Sequence, residues 1–114
     1  MRRGEVWVAS FRPWRGREVG KVCPCLLVQA DWLTRAGAVT VLVLPLTTRS
    51  PGEGGGKLRI PLPARDRLRR SCFVMADKMR AIDRELLGEG PLTTLTREEM
   101  RGVEKSLRAV LGVY

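Results

Sequence analysis

The sequence predicts a small, mainly β domain, a curved or barrel-like sheet closed by one C-terminal α-helix. Three observations predict it. Short apolar, β-branched runs recur between turn-forming segments rich in Gly and Pro, the pattern of successive strands. One run, Val39 to Leu44, is apolar almost throughout, which suits a central strand buried on both faces. Near the C-terminus the apolar residues change to helical spacing behind a capping box. A length of 114 residues suits one core, so residues 1–114 are expected to form a single domain without repeats.

Taken in order, Glu5 to Phe11 reads as the first strand, with Val6 and Val8 on one face and Trp7 and Ala9 on the other. Arg12-Pro13-Trp14-Arg15-Gly16 has turn chemistry and opens a polar loop. Cys25 to Gln29 is a short apolar strand, and Asp31 to Arg35 fits one helical turn. After the central strand, Ser50-Pro51-Gly52-Glu53-Gly54-Gly55-Gly56 is a loop, either a plain connection or a flap over a binding surface. It is no phosphate-binding P-loop, because Pro51 stands where the leading Gly belongs and Leu58 where Ser or Thr belongs. Lys57 to Leu62 alternates as a half-exposed strand, and Cys72 to Ala76 is a further strand. Thr96 is the expected N-cap with Glu99 three residues on, and Met100, Val103, Leu107, Val110 and Leu111 form the apolar stripe of the closing helix.

Composition narrows the function. Hydrophobic residues at 44% and charged residues at 29% describe a soluble globular protein. No apolar run reaches the roughly 20 residues of a membrane span, and no signal region is seen, so a cytoplasmic location without a membrane partner is expected. The net charge of +9 suggests a polyanionic partner held in a salt-sensitive way. Its distribution sharpens this. Arg12 to Lys21 holds four cations and one anion around Trp14, and Lys57 to Arg70 holds six cations and one anion, which favours nucleic acid. Three cysteines, an odd number, argue against a disulfide framework, and Cys23-Pro24-Cys25 is neither a zinc knuckle nor a redox motif. Without histidine, a closed zinc site would need distant carboxylates, so no metal or other cofactor is expected. Cys25 and Cys72 read as buried, inert thiols.

Two polar segments adjoin apolar runs. Gly16-Arg17-Glu18-Val19-Gly20-Lys21-Val22-Cys23-Pro24 leads into Cys25-Leu26-Leu27-Val28, and Leu44-Pro45-Leu46-Thr47-Thr48-Arg49-Ser50 follows Thr40-Val41-Leu42-Val43. Together they offer a carboxylate, several cations and two hydroxyls, the groups that phosphodiester cleavage requires.

Four pieces in this order resemble a known family: Arg3-Gly4-Glu5-Val6-Trp7, then Gly16-x-Glu18-x-Gly20-x-x-x-Pro24 with Leu26-Leu27-Val28, then Leu44-Pro45-Leu46-Thr47-Thr48, then Asp77-x-x-Arg80-x-Ile82-Asp83-x-x-x-Leu87. The chain resembles the MazF/PemK toxins of bacterial type II toxin–antitoxin systems over nearly its whole length. The resemblance implies a small SH3-like β-barrel, related to that of the gyrase poison CcdB, that forms a homodimer. It implies metal-independent cleavage of single-stranded RNA at short sequences, leaving a 2′,3′-cyclic phosphate and a 5′-hydroxyl. It also implies a cognate antitoxin whose acidic C-terminal segment occupies the RNA groove.

In such toxins an arginine directly before the proline of the second strand acts with a threonine that maps onto Thr47. Here Cys23 replaces that arginine. Some members also use an arginine and an aspartate at the positions of Met75 and Asp77, and only Asp77 is kept. Thr47 is therefore expected to donate its hydroxyl to the scissile phosphate. Lys21, then Arg49, then Cys23 are the candidates to replace the arginine. Glu18 is the candidate base, and equally a loop carboxylate paired with Arg17 or Lys21. Trp14 either stacks on an unpaired base or covers the loop–barrel junction. Arg17, Thr48, Arg49, Lys78 and Arg80 complete the expected RNA contacts. The competing reading is a binding protein on the same fold, either an RNA binder with a degraded centre or a poison of a protein target.

Overall fold

Side-chain alternation along β1 (Glu5–Phe11) divides the molecule into two apolar clusters. Val6 joins Leu26, Leu44, Val74, Met100 and Val103, whereas Ala9 joins Cys25, Leu27, Val41, Val43 and Ile82, with Trp7 packed against this second group. This computed structural model describes residues 1–11, 21–52 and 56–113. The remaining elements are β2 (Lys21–Leu27), α1 (Asp31–Arg35), β3 (Thr40–Thr47), β4 (Arg59–Leu62), β5 (Cys72–Met75), β6 (Arg80–Asp83), β7 (Leu87–Thr94) and α2 (Arg97–Leu111). Single 3-10 turns lie at Gly56–Leu58, Ala76–Lys78 and Arg84–Leu86.

All seven strands belong to one antiparallel sheet, ordered β4-β5-β3-β2-β1-β7, with β6 also on β3. The sheet is barrel-like without closing, since β4 and β7 remain its edges. β3 is the hinge of the design. Along one side it pairs with β6 through Thr40 to Val43, and then with β5 through Leu46 and Thr47. Pro45 stands at the hand-over. Having no N–H, proline fits where the ladder is interrupted.

Helix α2 packs Met100 and Val103 into the first cluster. Its start carries the expected capping box: Thr96 Oγ1 accepts from the Glu99 N–H at 3.1 Å, and Glu99 Oε1 accepts from the Thr96 N–H at 2.8 Å. Arg65, on the turn between β4 and β5, donates to both Glu99 oxygens at 2.6 and 2.8 Å. It also donates to Thr93 Oγ1 at 3.0 Å, and Thr93 in turn donates to Asp66 at 2.7 Å. The Arg65 hydrogen bond holds the Glu99 carboxyl down at about 2, against an ordinary 4.5, despite the opposing effect of its partial burial. The Arg3-Gly4-Glu5 piece is structural too. Arg3 joins Val28, Asp31 and Glu104, while Glu5 accepts from the Trp7 indole N–H. Gly4, at φ +94°, approaches Met100 and receives a hydrogen bond from Leu95. Its positive φ needs a residue without Cβ.

β1, α1 and the capping box fall where the sequence placed them. The differences are instructive. β2 starts four residues before the expected Cys25, because β1 supplies it with partners back to Lys21. β3 runs on to Thr47 because β5 extends the ladder. Residues 56–58 form a 3-10 turn, so β4 begins at Arg59 rather than Lys57, and β5 gives way to a turn at Ala76. β6 and β7 carried no recognisable strand pattern. In β6 only Ile82 is buried, and β7 contains Gly88, Gly90 and Pro91, which are tolerated because it is an edge strand with irregular register against β1. At the end of α2, Val110 and Leu111 are exposed, so the buried stripe stops short of them.

Candidate active site

A cleft of about 310 Å³ opens where β3 passes from β6 to β5. Its walls are Val22 and Cys23 of β2, Pro45, Leu46 and Thr47 of β3, Met75 ending β5, and Arg80 opening β6. The geometry follows from the topology. β5 and β6 share one side of β3 but are separated by the turn at Ala76–Lys78, so the sheet parts there and the strand ends face the gap.

Thr47 is half-buried on the rim, and its Oγ1 accepts from the Arg49 N–H at 3.2 Å. That contact caps the strand end and leaves the hydroxyl hydrogen for a ligand. Cys23 lines the same cleft, half-buried, and the exposed Arg80 of β6 lines it too. Among the described lining residues Arg80 is the one charged side chain.

The other cysteines are withdrawn from chemistry. Cys25 is 0% exposed, and burial, followed by the neighbouring Cys23, pushes its thiol up to about 12. Cys72 is buried and its thiol is likewise raised by burial. Among the described residues no three Cys, Asp or Glu side chains gather as metal ligands.

Asp77 sits on the turn between the cleft residues Met75 and Arg80 but does not line the cleft. Its carboxylate is bonded to Arg59 of β4, with Lys78 Nζ at 4.0 Å. Burial acts to raise its pKa, but the Arg59 hydrogen bond and charge prevail and hold it below the ordinary carboxylate value. Arg49 and Lys78 are exposed outside the cleft, and Thr48 faces a separate groove. Trp14, Arg17 and Glu18 lie outside the described residues, as does the side chain of Lys21.

The sequence reading placed Arg80 among RNA contacts without seeing that it shares a cleft with Thr47. It missed Arg59 as the partner of Asp77 altogether. The alternation of Lys57 to Leu62 marked Arg59 as an outward strand residue. Nothing local connected it to a turn eighteen positions later.

An antiparallel, barrel-like sheet with a C-terminal helix and a cleft at the strand ends describes the class. The family follows from the sequence. A model of the PemK-like, MazF-like toxins of type II toxin–antitoxin systems matches residues 2–111, and the chain belongs to that family. It is 28% identical over 119 residues to the endoribonuclease MazF of Staphylococcus saprophyticus, an alignment covering 100% of this chain and 93% of the relative. Its fold matches MazF in a MazE–MazF structure from Deinococcus radiodurans, with TM-score 0.80 and 22% identity over 100% of this chain and 97% of that one. A mycobacterial endoribonuclease in complex with its cognate antitoxin matches with TM-score 0.76 and 22% identity, again covering 100% and 97%. Among the described residues no helix is long and apolar enough to cross a membrane.

Proposed function

We propose that this toxin is a metal-independent endoribonuclease that cuts single-stranded RNA within the cleft. The observation that carries this reading is the convergence of Thr47, Cys23 and Arg80 where β3 changes partners. The 2′-hydroxyl attacks the adjacent phosphorus and the 5′-oxygen leaves, giving a 2′,3′-cyclic phosphate and a 5′-hydroxyl. Charge builds on the non-bridging oxygens during that attack, and fixed donors aimed there lower the barrier. Arg80 supplies the guanidinium and Thr47 the hydroxyl donor. Arg80 thereby takes the role for which Lys21, Arg49 and Cys23 were the sequence candidates. Glu18 is assigned as the base for the 2′-OH proton, and Lys21 as a second cation. Asp77 acts as a positioning residue, fixing the turn between Met75 and Arg80 through Arg59.

The S. saprophyticus relative, named an endoribonuclease, supports the activity, and the antitoxin-bound mycobacterial structure supports a cognate antitoxin. We assign the antitoxin an acidic segment that competes with RNA for the cleft, and the toxin a homodimeric, cytoplasmic form. Cys23 at the usual arginine position favours one second reading, an RNA binder with weakened catalysis.

The test is incubation of the purified protein with long single-stranded RNA in EDTA, followed by mapping of fragment ends. Discrete cuts with cyclic-phosphate ends, lost in Thr47→Ala and in Arg80→Ala, are expected. RNA that is bound but left intact would decide for the binder. Revival of cleavage by Cys23→Arg would then locate the defect.

A further inference from the structure

We propose that Phe73, with Pro61 beside it, forms a stacking platform for the base of a nucleotide flanking the scissile phosphate, and so helps set where the RNA is cut. This rests on the ribonuclease reading and adds a base subsite to it. Phe73 lies directly opposite Thr47 in the β3–β5 ladder, and Pro61 lies directly opposite Phe73 in the β4–β5 ladder. Residues opposite one another across antiparallel strands project from the same face, with Cβ atoms about 4.5–5.5 Å apart. Their chain neighbours fix which face this is. Leu46, Val74, Cys72 and Leu62 are buried in the first apolar cluster, so Thr47, Phe73 and Pro61 stand on the other side of the sheet. Met75, two residues beyond Phe73 on the same strand and therefore on the same face, lines the cleft.

The setting suits an unpaired base. Phe73 is half-buried and, among the described residues, belongs to neither apolar cluster, while Pro61 is exposed on the edge strand β4. Arg59, the cation of β4 on the same face, is bonded to Asp77, so the platform itself is apolar. A phosphate or a carboxylate finds no donor on these two rings, whereas a base presents its π-face to the phenyl group. Base and phosphate are joined through one sugar, so a phosphate held by Thr47 carries a base to the neighbouring ring. Stacking strength then gives a preference among bases without any hydrogen-bond readout.

The test compares two oligomers of equal length that cannot undergo 2′-OH attack, a random-sequence 2′-O-methyl RNA and an abasic 2′-O-methyl ribose-phosphate chain. Wild type is expected to bind the base-bearing oligomer more tightly. Phe73→Ala should weaken that binding by roughly 5- to 150-fold, the usual worth of one stacked base. It should leave the abasic affinity and the salt dependence at their wild-type values, because no phosphate contact is lost. Phe73→Leu keeps an apolar side chain without a π-face and should lose the preference as Phe73→Ala does, whereas Phe73→Tyr should keep it. Equal weakening for both oligomers would show a packing role and overturn the proposal, as would wild-type behaviour of Phe73→Leu. Wild-type protein that binds both oligomers equally would overturn the base subsite while the ribonuclease reading stands. Wild-type protein that binds neither would overturn both, which separates the two failures.

Discussion

Arg65 and Arg80 set the same side chain in different surroundings. Around Arg65 charges are cancelled inside the fold: the guanidinium holds Glu99 by two hydrogen bonds and Thr93 by a third, and Asp66 completes the network. Around Arg80 the described cleft walls contain a hydroxyl, a thiol and apolar side chains but no carboxylate. The first arrangement fastens helix α2 to the sheet. The second places an exposed arginine among the residues that line a cavity. Setting, more than residue type, separates the two arginines.

The largest expected effect lies on the cleft side of this comparison. Thr47→Ala and Arg80→Ala should each lower single-turnover RNA cleavage by about 100- to 1000-fold, the usual loss for a transition-state donor. Their thermal unfolding should stay close to wild type. A large fall in melting temperature without loss of rate would place both residues with the structural arginine.

Packing comes next. A Cβ on Gly90 would lie 2.3 Å from the Trp7 ring, so Gly90→Ala should destabilise by about 1–3 kcal/mol in denaturant unfolding. Unchanged stability would show that the indole has room to move.

The third prediction concerns pH. The folded Glu99 carboxyl binds its proton less tightly than the unfolded one, at about 2 against 4.5. Its contribution is therefore complete above about pH 4.5 and is lost as pH falls towards 2. With Glu99 partly exposed, solvent screening reduces that contribution to the order of 1 kcal/mol. Stability curves of wild type and Glu99→Gln should converge on acidification, and parallel curves would contradict the assignment.

The smallest effect is expected at Asp77. Asp77→Asn weakens a part-exposed pair with Arg59, for about 0.5 kcal/mol of stability, and should slow cleavage less than tenfold. A loss as large as that of Thr47→Ala would move Asp77 into the cleft chemistry.

How much of this was legible beforehand differs between the two regions. The helix cap was fully written in the sequence, because Thr96 and Glu99 are three residues apart and act on one turn of backbone. Its fastening to Arg65 was not, since that depends on where the β4–β5 turn lands. In the cleft, Thr47 and Cys23 stood out through the motifs they occupy. Arg80 stood out through the fourth motif as an RNA contact but not as a neighbour in Thr47's cleft, because its strand has a single buried residue and no clear alternation. β7 was hidden by its glycines and proline, which weaken a strand pattern until an edge position explains them.

By itself the sequence determined the strand and helix periods, the capping box, the inert character of Cys25 and Cys72, the positive charge and the motif order that marks the family. These are local or compositional properties, governed by side-chain alternation and by what neighbouring residues can bond. Only the tertiary structure decided which arginine shares a cleft with Thr47 and which carboxylate is held by Arg59. Both depend on β3 changing partners at Pro45 and on the register of strands far apart in the chain, where a shift of one residue would turn every side chain to the other face.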